Sequence, residues 1–390
     1  IYALYRMIRG RKKEGKDTYL FFLDVRKAFD TVWRDGLLKK LWTYGVRGKL
    51  WRTVRAMYAD NLSAILVDGK PSRWFKILQG VRQGDSASPC LFKVFVNELA
   101  VELKNLNLGV PIGCSLEKLQ ALLFADDIVL LADNLEDLQK MIDTVAKYSR
   151  KWRFQENLGK CGIMKVQAFK GGQDANAPEA NGEDIAAEEI EASRNTCKFL
   201  GEDVVIVSKY EYLGVYFHES ATWDEHVKAV IKKGKKAVNN MMRVFKNRQL
   251  PVKLRVKVWE TVVLPKIMYA AEVWYCSNVK QRNALETLQN SVAAAILHCS
   301  RKTSSIGTKS FLGLQSLWLR RGIRVLDWKG RLACRADSLL KKVHQAEWTQ
   351  GPMRKGPRPR SWAMETNYWL GKLKLNEDYQ SLADYVRRYR

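Results

Sequence analysis

Apolar residues recur along this chain at two spacings, and each spacing predicts a different kind of element. Helical spacing runs over 1–9, over about 35–59 with a turn at Gly45 and Gly48, from Ser86 to about Lys104, and over about 135–152. In the third of these, Leu91, Phe92, Phe95, Val96, Leu99 and Leu103 share one face. Strand-length apolar runs stand between the helices. Run 19–23 ends on Asp24, while 119–124 and 128–131 are separated only by Ala125-Asp126-Asp127. Residues 63–68 and 73–78 read as a hairpin around Asp68-Gly69-Lys70-Pro71, a turn-forming tetrapeptide. Residues 209–217 read as one strand, and the rest is mostly helical, including a helix over about 222–246.

Charge changes the picture first. The 390 residues carry 67 Lys and Arg against 41 Asp and Glu, a formal net charge of +26 and a sequence pI of about 9.7. A surplus that large repels itself in a compact body and calls for a polyanionic partner, nucleic acid or an anionic membrane. The apolar runs 119–132 and 261–275 are both broken by charge and fall short of the roughly 20 residues of a spanning helix. No membrane partner is therefore expected. Seven cysteines lie scattered without a Cys-x-x-Cys pair, which fits reduced intracellular thiols better than a disulfide frame or zinc knuckle. The chain opens at Ile1 inside a helix-like segment, so it reads as a piece of a longer protein. Residues 171–195 hold seven acidic residues against Arg194 alone and read as a loop or insertion. The stretch 351–360, Gly-Pro-Met-Arg-Lys-Gly-Pro-Arg-Pro-Arg, reads as a basic linker or RNA contact.

The carboxylates come next. Asp24 closes an apolar strand and Asp126-Asp127 sits between two more. If these strands are neighbours, three carboxylates converge and must bind cations or shift their pKa values. Oxygen ligands with no His or Cys nearby favour Mg²⁺ or Mn²⁺ over zinc, and two such ions form the clamp of phosphoryl transfer. An Ala-Asp-Asp tripeptide taken alone is equally an ordinary acidic turn.

Order and company carry more weight than that tripeptide. Phe22-Leu23-Asp24-Val25-Arg26-Lys27-Ala28-Phe29-Asp30-Thr31-Val32 resembles the first aspartate motif of non-LTR (LINE-type) retrotransposon reverse transcriptases. Gln79-Gly80-Val81-Arg82-Gln83-Gly84-Asp85-Ser86-Ala87-Ser88-Pro89-Cys90-Leu91-Phe92 resembles their second motif, and Leu123-Phe124-Ala125-Asp126-Asp127-Ile128-Val129-Leu130 their Phe-Ala-Asp-Asp motif. Asn157, Lys160 and Met164 look like the next motif, Tyr212-Leu213-Gly214-Val215 like the primer-grip strand, and 262–290 like their thumb. The resemblance covers about 1–330. It implies that Asp24, Val25, Asp126 and Asp127 form the site of two Mg²⁺ (or Mn²⁺) ions. It implies that Lys160 is a general acid toward pyrophosphate, against the alternative of a surface lysine. Phe29 takes the family's sugar-gate position, where a ring excludes a 2′-hydroxyl; a core Phe at a helix start is the alternative. Ala28, Gln83 and Gly84 would meet the incoming nucleotide, with Arg82 on phosphate or in solvent. Tyr212, Leu213 and Gly214 would hold the primer.

Between 226 and 259 stand eleven basic residues and no Asp or Glu. On the helix over 222–246, Val227, Val230, Ile231, Val238, Met241, Met242 and Phe245 make the apolar stripe. Lys228, Lys232, Lys235, Lys236, Arg243 and Lys246 lie off it, placed for sequence-independent contacts to a template–primer backbone.

The expected fold is α+β, a right-hand polymerase: partial fingers and first palm over 1–105, palm with the Asp-Asp turn over 106–170, and the insertion at 171–195. The primer grip follows over 196–220, a basic helical thumb over 221–335, and an extension over 336–390. The expected reaction is RNA-directed DNA synthesis, target-primed as the resemblance implies, with RNA template, DNA primer and deoxynucleoside triphosphates as partners. The basic upstream fingers strands, an endonuclease and a Cys/His knuckle are not visible in this sequence. A ribonucleoprotein in nucleus and cytoplasm is the expected setting. The competing readings are an inactive RNA-binding scaffold or element remnant, a group II intron-type maturase, and an RNA-dependent RNA polymerase. Phe29 and the Ala before the Asp pair argue against the last.

Overall fold

The structure is a computed structural model that describes residues 1–168, 197–300, 302–336, 338–348 and 362–373. The acidic stretch 171–195 and the basic stretch 351–360 lie outside the described residues. The chain divides into two compact units. Among the described residues, one comprises 11–168 and 197–210, and the other 1–10 and 211 onward.

The first unit is built on a four-stranded antiparallel sheet of β1 (Thr18–Asp24), β2 (Ala121–Phe124), β3 (Asp127–Ala132) and β4 (Gly162–Val166), in the order β4-β1-β3-β2. Strand side chains alternate between faces. One face of the sheet carries Phe21, Leu23, Ile128, Leu130 and Ile163 into the unit's core. Two helices supply the other side of that core: α4 (Ser88–Asn105), with Leu91, Phe92, Phe95, Leu99 and Leu103, and α5 (Leu135–Trp152), with Leu138, Met141, Ile142 and Val145. The spacing that predicted both helices is the spacing that is buried. Asn134 caps α5 by accepting the Asp137 amide at 2.8 Å, and Arg153 ends it at φ 58°. Beyond the first helix, α1 (Tyr2–Lys13), two shorter ones, α2 (Arg34–Thr43) and α3 (Gly48–Tyr58), meet at the predicted glycine turn. From α2, Lys40 enters the core. Its ammonium donates to the Phe95 carbonyl at 2.6 Å and to the Tyr148 hydroxyl, pairs with Glu98 at 3.2 Å, and stands 3.8 Å from the Trp152 ring. Burial lowers its pKa to about 8, and Glu98 opposes that shift.

The hairpin between α3 and α4 is present but split. Leu62 pairs with Lys76 and Ser63 with Phe75, then Leu66 pairs with Pro71 and Val67 with Lys70, one residue out of step. Asp68 and Gly69 both have positive φ, as the twist of a two-residue turn requires.

In the second unit, 209–217 is not the single strand expected. It is a hairpin of β5 (Lys209–Tyr212), which runs across the unit boundary, and β6 (Val215–His218), with Leu213 and Gly214 at φ 51° and 74°. Leucine rarely adopts that conformation, so the pair lacks the usual turn signature. Then come α6 (Asp224–Phe245), α7 (Val252–Val258), α8 (Val279–Leu297) and α9 (Leu317–Ala333). The buried stripe of α6 is His226, Val227, Val230, Gly234, Ala237, Val238 and Phe245. Ile231, Met241 and Met242, expected in that stripe, are half-exposed at its edge. At Gly234 a Cβ would come within 2.7 Å of Leu288 of α8, so glycine permits the close approach there. Among the described residues no helix is long and apolar enough to cross a membrane.

Candidate active site

The three predicted aspartates meet at one end of the sheet. Asp24 and Asp127 are direct cross-strand partners at the ends of β1 and β3, so their side chains leave the same face. Asp126 lies in the two-residue turn between β2 and β3, where Ala125 takes φ 52°. The Asp126 carbonyl accepts the Val25 amide at 3.2 Å, which ties this turn to the end of β1.

Like charges opposite one another in a ladder destabilise it. The cost shows at Asp127, whose pKa rises from 3.8 to about 6. Burial is the largest cause, followed by repulsion from Asp126 and Asp24, and Lys160 partly offsets them. Asp24 is the better compensated carboxylate. Asn157 Nδ2 donates to its Oδ2 at 3.2 Å, and Lys160 Nζ stands 3.5 Å from the same oxygen. Lys160 gets there at the end of a 3-10 turn, Leu158–Lys160, which precedes β4. Tyr210, which sequence reasoning missed, stacks on Phe22 at 4.1 Å with the ring planes 10° apart. Burial chiefly, then Asp24, Cys161 and Asp127, raise its hydroxyl pKa. Only its position two residues before Tyr212 could have drawn attention to it.

Among the described residues, no three His, Cys, Asp or Glu side chains are placed to hold a metal ion together. That is compatible with Mg²⁺ chemistry, because polymerase-type Mg²⁺ is held by one or two carboxylates plus substrate phosphates, not by an all-protein cage. The incompletely neutralised negative charge at Asp127 is what a bound cation would relieve.

Around this end lie the predicted nucleotide residues. Phe29 is half-buried and stacked on Phe92 at 5.0 Å, so its ring is fixed from behind. Ala28 and Val25 are in the core at 4% and 3% exposure, which leaves only their backbone atoms for any ligand. Gln83 is exposed and donates to Asp30 at 3.0 Å, while Arg82 donates to Asn61 at 2.8 Å. Gly80 and Gly84 both have φ 85°, yet their surroundings differ. A Cβ on Gly80 would come within 2.5 Å of the Asp30 carbonyl oxygen, whereas nothing lies within 4 Å of one on Gly84. Arg34, which sequence reasoning missed, pins this loop. Its guanidinium donates to the carbonyls of Gly80 (2.9 Å), Tyr58 (3.0 Å), Ile77 (2.6 Å) and Gln79 (3.2 Å).

The second unit holds the remaining candidates. Tyr212 is 2% exposed, so its ring is a core group, while the Leu213-Gly214 turn beyond it reaches the surface. Tyr269 fixes that turn by donating to the Leu213 carbonyl at 3.0 Å. Lys228, Lys232, Lys235, Lys236 and Arg243 are exposed on α6, and Lys246 is exposed just past its end. Lys228 pairs with Glu225 at 2.7 Å. Arg255, counted in the basic run, is 4% exposed and donates to the Phe245 and Ile296 carbonyls, so it braces the core.

Known proteins resemble this chain, reverse transcriptases among them, and these generally use divalent metal ions. Residues 2–217 match the family described as reverse transcriptase (RNA-dependent DNA polymerase). The Pol polyprotein of the type-1 retrotransposable element R2 of Popillia japonica is 26% identical over 275 residues, 70% of this chain and 41% of that protein. The RNA-directed DNA polymerase of the mobile element jockey of Drosophila funebris is 23% identical over 306 residues, 74% of this chain and 30% of that protein. The chain thus spans less than half the length of either relative. Among solved structures, apo telomerase from Candida tropicalis aligns over 87% of this chain and 54% of its own at 10% identity, with a TM-score of 0.37. The chain belongs to the reverse transcriptase (RNA-dependent DNA polymerase) family, in the branch carried by non-LTR, LINE-type retrotransposons.

Proposed function

We propose that this chain carries the polymerase centre of a retrotransposon enzyme that copies an RNA template into DNA from a primer 3′-hydroxyl, as in target-primed synthesis. The observation that supports it most is the cross-strand pair Asp24 and Asp127 beside Asp126, with the Asp127 carboxyl held near a pKa of 6 by burial and like charge. Asp24, Asp126, Asp127 and the Val25 carbonyl would hold two Mg²⁺ ions, with Mn²⁺ able to replace them. When bound, those ions make the 3′-hydroxyl more acidic and neutralise charge on the triphosphate.

The chain's own residues do the rest. Asn157 holds the Asp24 carboxylate in place through its 3.2 Å hydrogen bond. Lys160 balances the charge of Asp24 and, being exposed, can turn to donate a proton to the pyrophosphate leaving group. Phe29, backed by Phe92, presents a fixed ring to the sugar and excludes a 2′-hydroxyl. Gln83 and the glycine loop pinned by Arg34 give the nucleotide a close backbone surface. The exposed turn at Leu213-Gly214 and the basic face of α6 would hold the primer and the duplex backbone. The proposed setting is a ribonucleoprotein in nucleus and cytoplasm.

Primer extension on an RNA template with deoxynucleotides and Mg²⁺ or Mn²⁺ tests the proposal. Activity should be lost when Asp126→Ala and Asp127→Ala are combined. Extension that survives the double substitution would refute the carboxylate assignment, and salt-sensitive RNA binding with no extension under any condition would favour an inactive scaffold. The same assay tests the sugar gate: Phe29→Ala should raise ribonucleotide use relative to deoxynucleotide by about tenfold or more, the scale on which pockets discriminate small groups.

A further inference from the structure

A cavity of about 710 Å³ opens in the second unit between the Leu213-Gly214 turn, α6 and the segment following α7. That is within the range of small-ligand sites. Tyr216, Tyr269, Pro265 and Val230 form much of its wall, and Lys236 and Lys266 reach it from two sides. Both lysines are exposed, and neither has an acidic partner among the described residues. Lys233, also in the lining, is instead paired with Glu211 at 3.5 Å.

The unusual member of the lining is His226, which is only 3% exposed. Its Nδ1 accepts the Tyr216 amide at 3.3 Å, so in the neutral ring the proton sits on Nε2. That nitrogen is buried and has no hydrogen-bond partner among the described residues. The ring is wedged edge-on between Trp223 and Trp274, with centroids 6.0 and 5.5 Å away, so it cannot turn to find one. Burial and Lys233 lower its pKa to about 4 against the opposing pull of Glu211, which leaves it a neutral donor at physiological pH. A buried donor without a partner calls for an explanation, and at the wall of a cavity a ligand atom that accepts from it is one.

We propose that this cavity binds a single nucleotide unit, its planar base against the tyrosine and proline walls, its phosphate on Lys236 and Lys266, and an acceptor atom of the base or sugar on His226 Nε2. The cavity shares Leu213, Gly214 and Lys236 with the surface proposed above for the primer, but it contains none of the carboxylates, so the site rests on its own residues. The nucleotide comes either free from solution or as an unpaired residue of a bound strand. Bound there, it would brace the Leu213-Gly214 turn that Tyr269 already holds.

The test is ¹⁵N NMR of the imidazoles of the full chain, which has four histidines, with His226→Gln identifying the His226 signal. Three probes are titrated in chelating buffer without divalent ions, so that an inactive polymerase centre would not silence the assay: guanosine 5′-monophosphate, a duplex with one bulged nucleotide, and the same duplex fully paired. A shift of the His226 Nε2 signal with the mononucleotide supports a free ligand, and a shift with the bulged duplex alone supports an extruded residue of a strand. Either binding should weaken at least tenfold in the surface variant Lys266→Gln and in Ala229→Trp, which puts a ring into the cavity that Ala229 lines. No His226 shift with any probe, equal shifts with bulged and paired duplex, or unchanged binding in both variants would overturn the proposal.

Discussion

Asp127 shows how one residue records the demands of the whole site. Its folded pKa of about 6 lies above the ordinary 3.8, so the folded state holds this proton more tightly than the unfolded chain does. Stability from that proton is complete below about pH 4, falls as pH rises toward 6, and is absent above. An Asp127→Asn variant in chelating buffer should therefore melt higher than the parent at pH 7 and lose most of that advantage at pH 4. A pH-independent difference would mean that the carboxyl is not perturbed. At this scale the sequence was highly legible for residues defined by motif. Asp24, Asp126, Asp127, Asn157 and Lys160 do come together. It was poorly legible for Arg34 and Tyr210, because their importance lies in carbonyls and rings supplied from elsewhere in the chain. No local pattern announces such partners.

At the scale of elements, the two glycines of the second motif separate two reasons for being glycine. Both have φ 85°, but Gly80 alone is packed on backbone, that of Asp30 next to Phe29. Gly84→Ala should cost about 1 kcal/mol, the price of a left-handed alanine. Gly80→Ala should cost several times more and disturb discrimination at Phe29, as read by thermal melting together with ribonucleotide incorporation. Equal losses would show that backbone conformation, not close packing, is what selects glycine at both. The helices α4 and α5 were legible from periodicity because a single buried face dictates it. The hairpin over 209–218 was not, since Leu213 takes a conformation that leucine rarely occupies. Nor could periodicity reveal the strand order β4-β1-β3-β2, which depends on contacts between distant parts of the chain.

For the whole molecule, the +26 charge sets the terms of binding. Lys232, Lys235, Lys236, Arg243 and, just past the helix end, Lys246 are exposed, whereas the stripe from Val227 to Phe245 is buried, so this charge is placed to meet phosphate. Affinity for a template–primer duplex should fall steeply with salt. Replacing Lys232 and Lys235 together by Ala should lower the log–log salt slope by about 1 to 2, the contribution of two phosphate contacts, without altering sequence preference. An unchanged slope would place the duplex on another face.

The pairing of Asp24 with Asp127, and of Leu20 with Met164, also dictates when the enzyme can exist. β1 is translated first among the four strands, yet both of its neighbours are encoded more than a hundred residues later. Contacts so distant in sequence close slowly, because chain entropy is lost before any pairing repays it. A nascent chain therefore carries its first aspartate long before it has anything to work with. The sheet that brings the carboxylates together cannot be completed until the chain has been made as far as Val166, so the order of translation delays the site until most of residues 11–210 exist.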